Sequence, residues 1–257
     1  MVFSITSQAL AGSKISSTAT SPSASQTSVQ LTTDNADVGS LKDTSRLSVL
    51  SAQLSDSAAQ AAARDSSLSS KALGAKASEL LSKIAGDGYF ANKAASDAEV
   101  PDTEDLGLLA RAQNATQFVN GSGKNPFSGM SREQLSLISY DDSGRFTVNE
   151  RRAAWIESSD QEFAWRQKVV ANSIAEYNGT GKLTTFFTAA LEHFKDLSPI
   201  EQAQYPDSYK TKLQDWIALD FNYKTHKVEG NGSVIDVLNK VLNLDPRTFD
   251  NAGLDMS

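Results

Sequence analysis

Residues 139–150, SYDDSGRFTVNE, set acidic and hydroxyl side chains at alternate positions around a single glycine. Such a run can gather oxygen atoms around a cation. Asp141 and Ser143 alternate before Gly144, the carbonyl of Arg145 and the hydroxyl of Thr147 follow, and Glu150 closes the stretch. Gly144 is the residue that can take a left-handed turn without steric penalty. The same stretch contains Thr147-Val-Asn-Glu150, a capping box that starts a helix with no cation present. It is either a cation loop or a turn whose end caps a helix, and the box serves both.

The flanks are helical in texture: SREQLSLI enters and VNERRAAW leaves. This frame of helix, twelve-residue loop and helix resembles an EF-hand. The resemblance implies calcium, held by Ser139, Asp141, Ser143, the Arg145 carbonyl, Thr147 and Glu150. Calcium takes about six to eight oxygens, which alternate residues of a tight loop can converge on one point. The stretch departs from the family pattern at its opening position, where Ser139 replaces aspartate, and at Phe146, where the family is usually aliphatic. Only Asp141 and Glu150 would be anionic ligands, so the expected affinity is low, with Asp142 able to rotate in. A second loop is not found: DFNYKTHKVEGN, residues 220–231, has Thr225 where glycine is needed and ends in Asn231.

Other chemistries lack their residues. There is no cysteine, so thiolate metal sites and Cys nucleophiles are excluded. HExxH and GxSxG are absent, and NGSGKN, residues 120–125, is a turn because Asn125 follows the lysine where a phosphate loop needs Ser or Thr. His193 sits one step off an apolar face, the position of a partly buried structural histidine. Asp160, Glu162, Glu192 and Asp215 read as solvated helix faces. No catalytic or cofactor-binding residue is assigned, and the enzyme question leans to no. Trp155, Phe163 and Trp165 share one region with Arg151, Arg152 and Arg166. That combination suits a protein-binding surface, although tryptophans at such spacing are more often core and such arginines more often solvated.

The elements that must position these residues divide the chain unevenly. Of its 20 aromatic residues, only Phe3 precedes Tyr89, and the apolar fraction of 39 % is low for a protein with one continuous core. The acidic excess behind the net charge of −7 lies wholly beyond residue 88. A surface of that sign repels phosphate backbones, which argues against nucleic acid. No apolar run reaches the roughly 18 residues of a spanning helix.

Residues 1–43 are rich in Ser and Thr, with no carboxylate before Asp34. They are expected to be disordered, because so little apolar surface cannot offset the entropy of ordering. The basic start and apolar middle of a secretory signal are missing. The leader resembles the amino-terminal export signals of bacterial type III secretion and flagellar-type export substrates. That resemblance implies secretion without a signal peptide; an ordinary tail on a cytoplasmic protein is the alternative.

Residues 44–88 read as a weakly amphipathic helical segment. Leu47, Leu50 and Leu54 share one face, and Leu73, Ala77, Leu80 and Ile84 form a second stripe. The segment needs a partner, either its own domain or another protein. Residues 89–257 form a helical domain. Pro101 and Asp102 mark the entry to a helix over 104–119. Boxes at Ser131/Gln134, Thr147/Glu150, Ser159/Glu162 and Ser198/Glu201 start further helices. Asn-Gly at 178–179 and 231–232 closes or connects segments. Helical faces run through Phe187–Phe194, Tyr209–Phe221 and Val234–Leu242, and no alternating strand is evident. The expected fold is all-α. The expected function is a non-enzymatic bacterial protein with a degenerate calcium loop, or an interaction module in which the loop is structural; an enzyme of unidentified chemistry is the third reading.

Overall fold

The computed structural model describes residues 37–237, with side chains from Val49 onward. Most of the serine-rich leader, and the end of the expected 234–242 helix, lie outside these residues. The chain is all-α. Among the described residues the only strands are β1 (Phe221–Asn222) and β2 (Lys227–Val228).

The 44–88 segment is two helices rather than one, α1 (Asp37–Ser67) and α2 (Ser70–Ile84). Helix α1 begins inside the stretch expected to be a disordered leader. Ser69 divides the pair: its hydroxyl accepts from Ala72 N and caps α2. The stripe Leu73, Ala77, Leu80 and Ile84 is the buried face of α2, and Leu80 and Ile84 are fully buried. Each such side chain contributes about 1.5–3 kcal/mol. Gly86 does not end the helical region; α3 (Gly86–Ala91) and α4 (Lys93–Ala98) follow at once.

Helix α5 (Leu106–Val119) is capped by Asp105, three residues past the expected entry at Asp102. Helix α6 (Arg132–Ser139) starts at the Ser131/Gln134 box. Thr147/Glu150 then begins α7 (Val148–Thr180), a continuous helix of 33 residues and about 50 Å. Ser159/Glu162 starts nothing. With no proline or glycine nearby the helix runs through it, and Ser159 Oγ donates to Trp155 O within the same helix. Asn178-Gly179 are still helical, and Gly181, left-handed at φ 79°, ends the element. Helices α8 (Thr184–Asp196), α9 (Pro199–Gln202, with its Ser198/Glu201 box) and α10 (Tyr209–Leu219) complete the set.

The first half of α7 is the interior spine, touching α2, α4, α5 and α6, while α8 packs against it further on. One apolar cluster joins Phe127, Leu135, Ile138, Phe146 and Ala154, with Leu50 and Leu54 of α1 laid against it. A second joins Leu73, Ala77 and Leu80 to Tyr140 and Ile200. A third, of Ala190, Leu191 and Leu213, ties α8 to α10. The 44–88 helices therefore bury their stripes on the later helices of the same chain. No helix of the described residues is long and apolar enough to cross a membrane.

The hairpin corrects the expectation of no strand. Asp220 turns left-handed at φ 42° and ends α10, and the Asn222 carboxamide oxygen accepts from Lys224 N and Thr225 N. That side-chain turn folds β2 back on β1, with Phe221 opposite Val228.

Candidate functional site

Residues 139–150 do form a helix, a loop and a helix, with Gly144 at φ 84°. The candidate ligands, however, are already hydrogen-bonded within the protein: Ser143 and Thr147 to Asp141 and Glu150 of the same loop, and Asp141, the Arg145 carbonyl and Glu150 also to residues of other helices. Ser139 is the last residue of α6. Its hydroxyl donates to Leu135 O at 2.8 Å, and its carbonyl accepts from Arg151 Nε at 3.2 Å. Asp141 is buried: Oδ1 accepts from Ser143 N and Oγ, and Oδ2 accepts from Ser57 Oγ of α1 at 2.7 Å. Asp142 pairs with Lys76 rather than turning inward. The Arg145 carbonyl accepts from Gln53 Nε2 at 3.4 Å.

Glu150 is fully buried and uses both carboxylate oxygens. Oε2 accepts from Thr147 N at 2.8 Å, completing the capping box, and Oε1 accepts from Arg111 Nε of α5 at 2.6 Å. The Arg111 guanidinium lies over the Phe146 ring at 5.0 Å and donates through Nη1 to Gln53 Oε1 at 2.9 Å. Gln53 thus links the Arg145 carbonyl to Arg111, and Arg111 links onward to Glu150. An arginine and a glutamine from two other helices take up oxygens that the EF-hand resemblance assigns to calcium. Binding calcium here would require Glu150 to release Arg111 and Asp141 to release Ser57. Among the described residues no group of three or more His, Asp or Glu stands together to hold a metal ion.

Next to the loop, Asn149 is also fully buried. Its carboxamide oxygen accepts from Tyr89 Oη at 2.9 Å, while Nδ2 reaches Ser96 O at 3.1 Å and Asp97 Oδ1 at 3.0 Å. Arg151 is buried and bonds to the Leu80 and Ser139 carbonyls. Arg152 stacks on Tyr89 at 4.0 Å and donates to Ile84 O. These arginines fasten α7 to α2 and α6, contrary to the expectation that they are solvated.

The second half of the 151–166 region opens a cleft of about 440 Å³, walled by Leu81, Tyr140, Trp155, Phe163 and Tyr205. Burial pushes the Tyr140 phenol up to about 12, and its oxygen accepts from Gln204 Nε2. A polar chain runs along the floor. Ser136 meets Ser198 at 2.7 Å, and Ser198 Oγ donates to Glu201 Oε2 at 2.8 Å. Arg132 bridges Glu201 to Glu162, reaching the latter at 2.6 Å. Glu162 Oε2 also stands 2.7 Å from His193 Nε2, and its Oε1 accepts from Arg166 Nε at 2.7 Å. The His193 ring stacks on Trp165 at 3.7 Å. Burial alone would raise the Glu162 carboxyl, but bonds from Arg166, Arg132 and His193 hold it down at about 2. Glu162 is therefore the hub of an ion network rather than a solvated carboxylate. At the mouth, Phe163 is 63 % exposed. Arg166 lies on the rim beside it.

Arg111, Gln53, Ser57 and Arg132 were not signalled by the sequence, since each acts across at least 30 residues of chain. No family model, no curated protein and no solved structure matches this chain. The fold and the two sites define a helical protein with an internally clamped loop and an open aromatic cleft.

Proposed function

We propose that the protein is a non-enzymatic helical interaction module that takes an amphipathic segment of a partner protein in the cleft beside Trp155, Phe163 and Arg166. The observation that carries this reading is Phe163, a large aromatic left exposed at the mouth of an aromatic-walled cleft whose floor is already hydrogen-bonded. Aromatic side chains, phenylalanine among them, and arginine are enriched at protein interfaces. A partner segment with an apolar side chain for the walls and a carboxylate for Arg166 matches both. In this reading the 139–150 loop is a structural joint.

The test is affinity capture from the native source with wild-type protein, Phe163→Ser and Arg166→Gln, each variant first checked for an unchanged melting temperature. A partner held by the wild type and lost from both variants supports the module. An identical captured set for all three rejects it.

A second reading, a low-affinity calcium site at Ser139, Asp141, Ser143, Arg145, Thr147 and Glu150, is supported by the helix–loop–helix frame and the left-handed Gly144. Calorimetric titration with calcium and magnesium, repeated on Glu150→Gln, tests it. Heat and a thermal shift in the wild type alone favour calcium, and their absence at millimolar calcium leaves the joint.

A further inference from the structure

The second half of α7 meets α8 along one seam. Glu162 and Trp165 hold His193, Val169 is buried, and Ser173 is half-buried. Glu176 accepts from Thr185 N and Phe186 N at the start of α8. These five residues follow the spacing i, i+3, i+7, i+11, i+14, which is the stripe a helix turns toward another laid beside it.

One residue further round, the spacing repeats. Phe163, Arg166, Val170, Ile174 and Tyr177 each stand one position on from a seam residue. They form a second stripe, turned by about 100° about the helix axis. Its four apolar members are exposed, Val170 at 50 % and Ile174 at 58 %. The stripe runs about 21 Å, or four turns, from the mouth of the cleft toward the end of α7. The helix thus has two packing faces, and α8 covers one.

Charge decides what suits the other. Between residues 161 and 180 the only carboxylates are Glu162 and Glu176, and both are engaged on the α8 side. Arg166, within the stripe, and Lys168 are exposed, and Lys224 Nζ lies 5.7 Å from the centre of the Tyr177 ring at the far end. Arg166 donates to Glu162 through Nε, which leaves its outer nitrogens facing away from that bond. In a chain of net charge −7 this face is locally positive.

We propose, resting on the reading that the cleft takes a partner segment, that this segment continues out of the cleft as an acidic amphipathic helix laid along the stripe. A carboxylate of the partner stands opposite Arg166, and its apolar side chains cover Val170, Ile174 and Tyr177. Helices recognised in this way place their anchors three or four residues apart, which matches the stripe. A second copy of the chain is a poorer occupant, because the face paired with itself brings both Arg166 side chains to one patch with no carboxylate between them. An anionic membrane is repelled by the acidic remainder of the protein.

The probe is a displayed library of 18-residue helical peptides, randomised on one face and selected on the full chain. Enriched peptides should be net negative, with apolar residues three and four apart. Val170→Ser and Ile174→Ser lie outside the cleft, and each should weaken binding of those peptides at least tenfold at an unchanged melting temperature. Arg166→Glu should weaken it as much, and exchanging one peptide carboxylate for lysine should restore at least fivefold toward Arg166→Glu alone. Loss with Phe163→Ser but not with Ile174→Ser would overturn the inference and leave the cleft reading standing. Peptides indifferent to both variants would overturn the two together. No enrichment, or enriched peptides that are neutral or basic, would overturn the inference as well. So would self-association in sedimentation, or flotation with phosphatidylserine vesicles, that Ile174→Ser abolishes.

Discussion

Arg111 Nε and Glu150 Oε1 stand 2.6 Å apart, although 39 residues separate them in the chain, and the carboxylate is fully buried. The pair joins α5 to the first turn of α7 and brings a positive charge to the loop from inside the protein. A buried ion pair of this kind adds little over a well-packed apolar pair, but removing one member leaves a charge stranded away from water. The joint therefore depends on both residues being present together.

Arg111→Met should destabilise the fold by about 3 kcal/mol, because Glu150 retains only its capping-box contacts. Glu150→Gln can still accept from Thr147 N and should cost less. The double variant should recover part of the loss, giving a coupling of at least about 1 kcal/mol. Urea unfolding of the four proteins checks this, and strictly additive losses would contradict it.

Acid should weaken the α6–α7–α8 contact through Glu162. Its folded carboxyl titrates at about 2, below the ordinary 4.5. The stabilisation is then complete above pH 4.5 and is lost as pH falls toward 2. Glu162→Gln should lower stability at pH 7 and flatten the decline between those pH values. A parallel decline in both proteins, followed by thermal unfolding, would show that other carboxyls govern it.

Two glycines should respond to alanine for different reasons. At Gly144 no atom lies within 4 Å of an added Cβ, but φ is +84°, so Gly144→Ala should cost about 1–2 kcal/mol from backbone strain alone. At Gly74 the backbone is ordinary helix, yet the Cβ would stand 2.5 Å from Ala203 O. Gly74→Ala must push α2 away from α9 and should cost about 1–3 kcal/mol. Gly74→Ser should be worse still, whereas Gly144→Asn should be milder than Gly144→Ala, since Asn tolerates the left-handed region. Melting temperatures of the four variants decide.

Asn149→Ala should cost about 2–4 kcal/mol, a large effect for a polar residue. It leaves the Tyr89 hydroxyl and the Ser96 carbonyl without partners in the interior. Adding Tyr89→Phe should return part of that loss, because the orphaned hydroxyl is then gone. Chemical denaturation of the single and double variants measures it.

Local signals in the sequence located much of this. Ser131/Gln134, Thr147/Glu150 and Ser198/Glu201 cap helices as their spacing implies, because both partners of a box lie within one turn. The α2 stripe follows from helical periodicity in the same way. Ser159/Glu162 has the identical pattern but lies in mid-helix, where Glu162 turns outward to Arg132, Arg166 and His193. A pattern of three residues cannot distinguish those fates; what lies across from Glu162 does. The hairpin escaped notice because strands of two residues are too short to show alternation.

What the sequence determined by itself was the helical class, the starts of α6, α7 and α9, and the turn at Gly144, all set by interactions within a few residues. Tertiary structure alone decided what the loop's oxygens hold. Arg111 comes from α5, and Gln53 and Ser57 come from α1, and neither helix adjoins the loop in the chain. A carboxylate reads the same in a string of residues whether its counter-charge is a metal ion or a guanidinium. Only the packing of α1 and α5 on α6 and α7 brings that counter-charge within bonding distance.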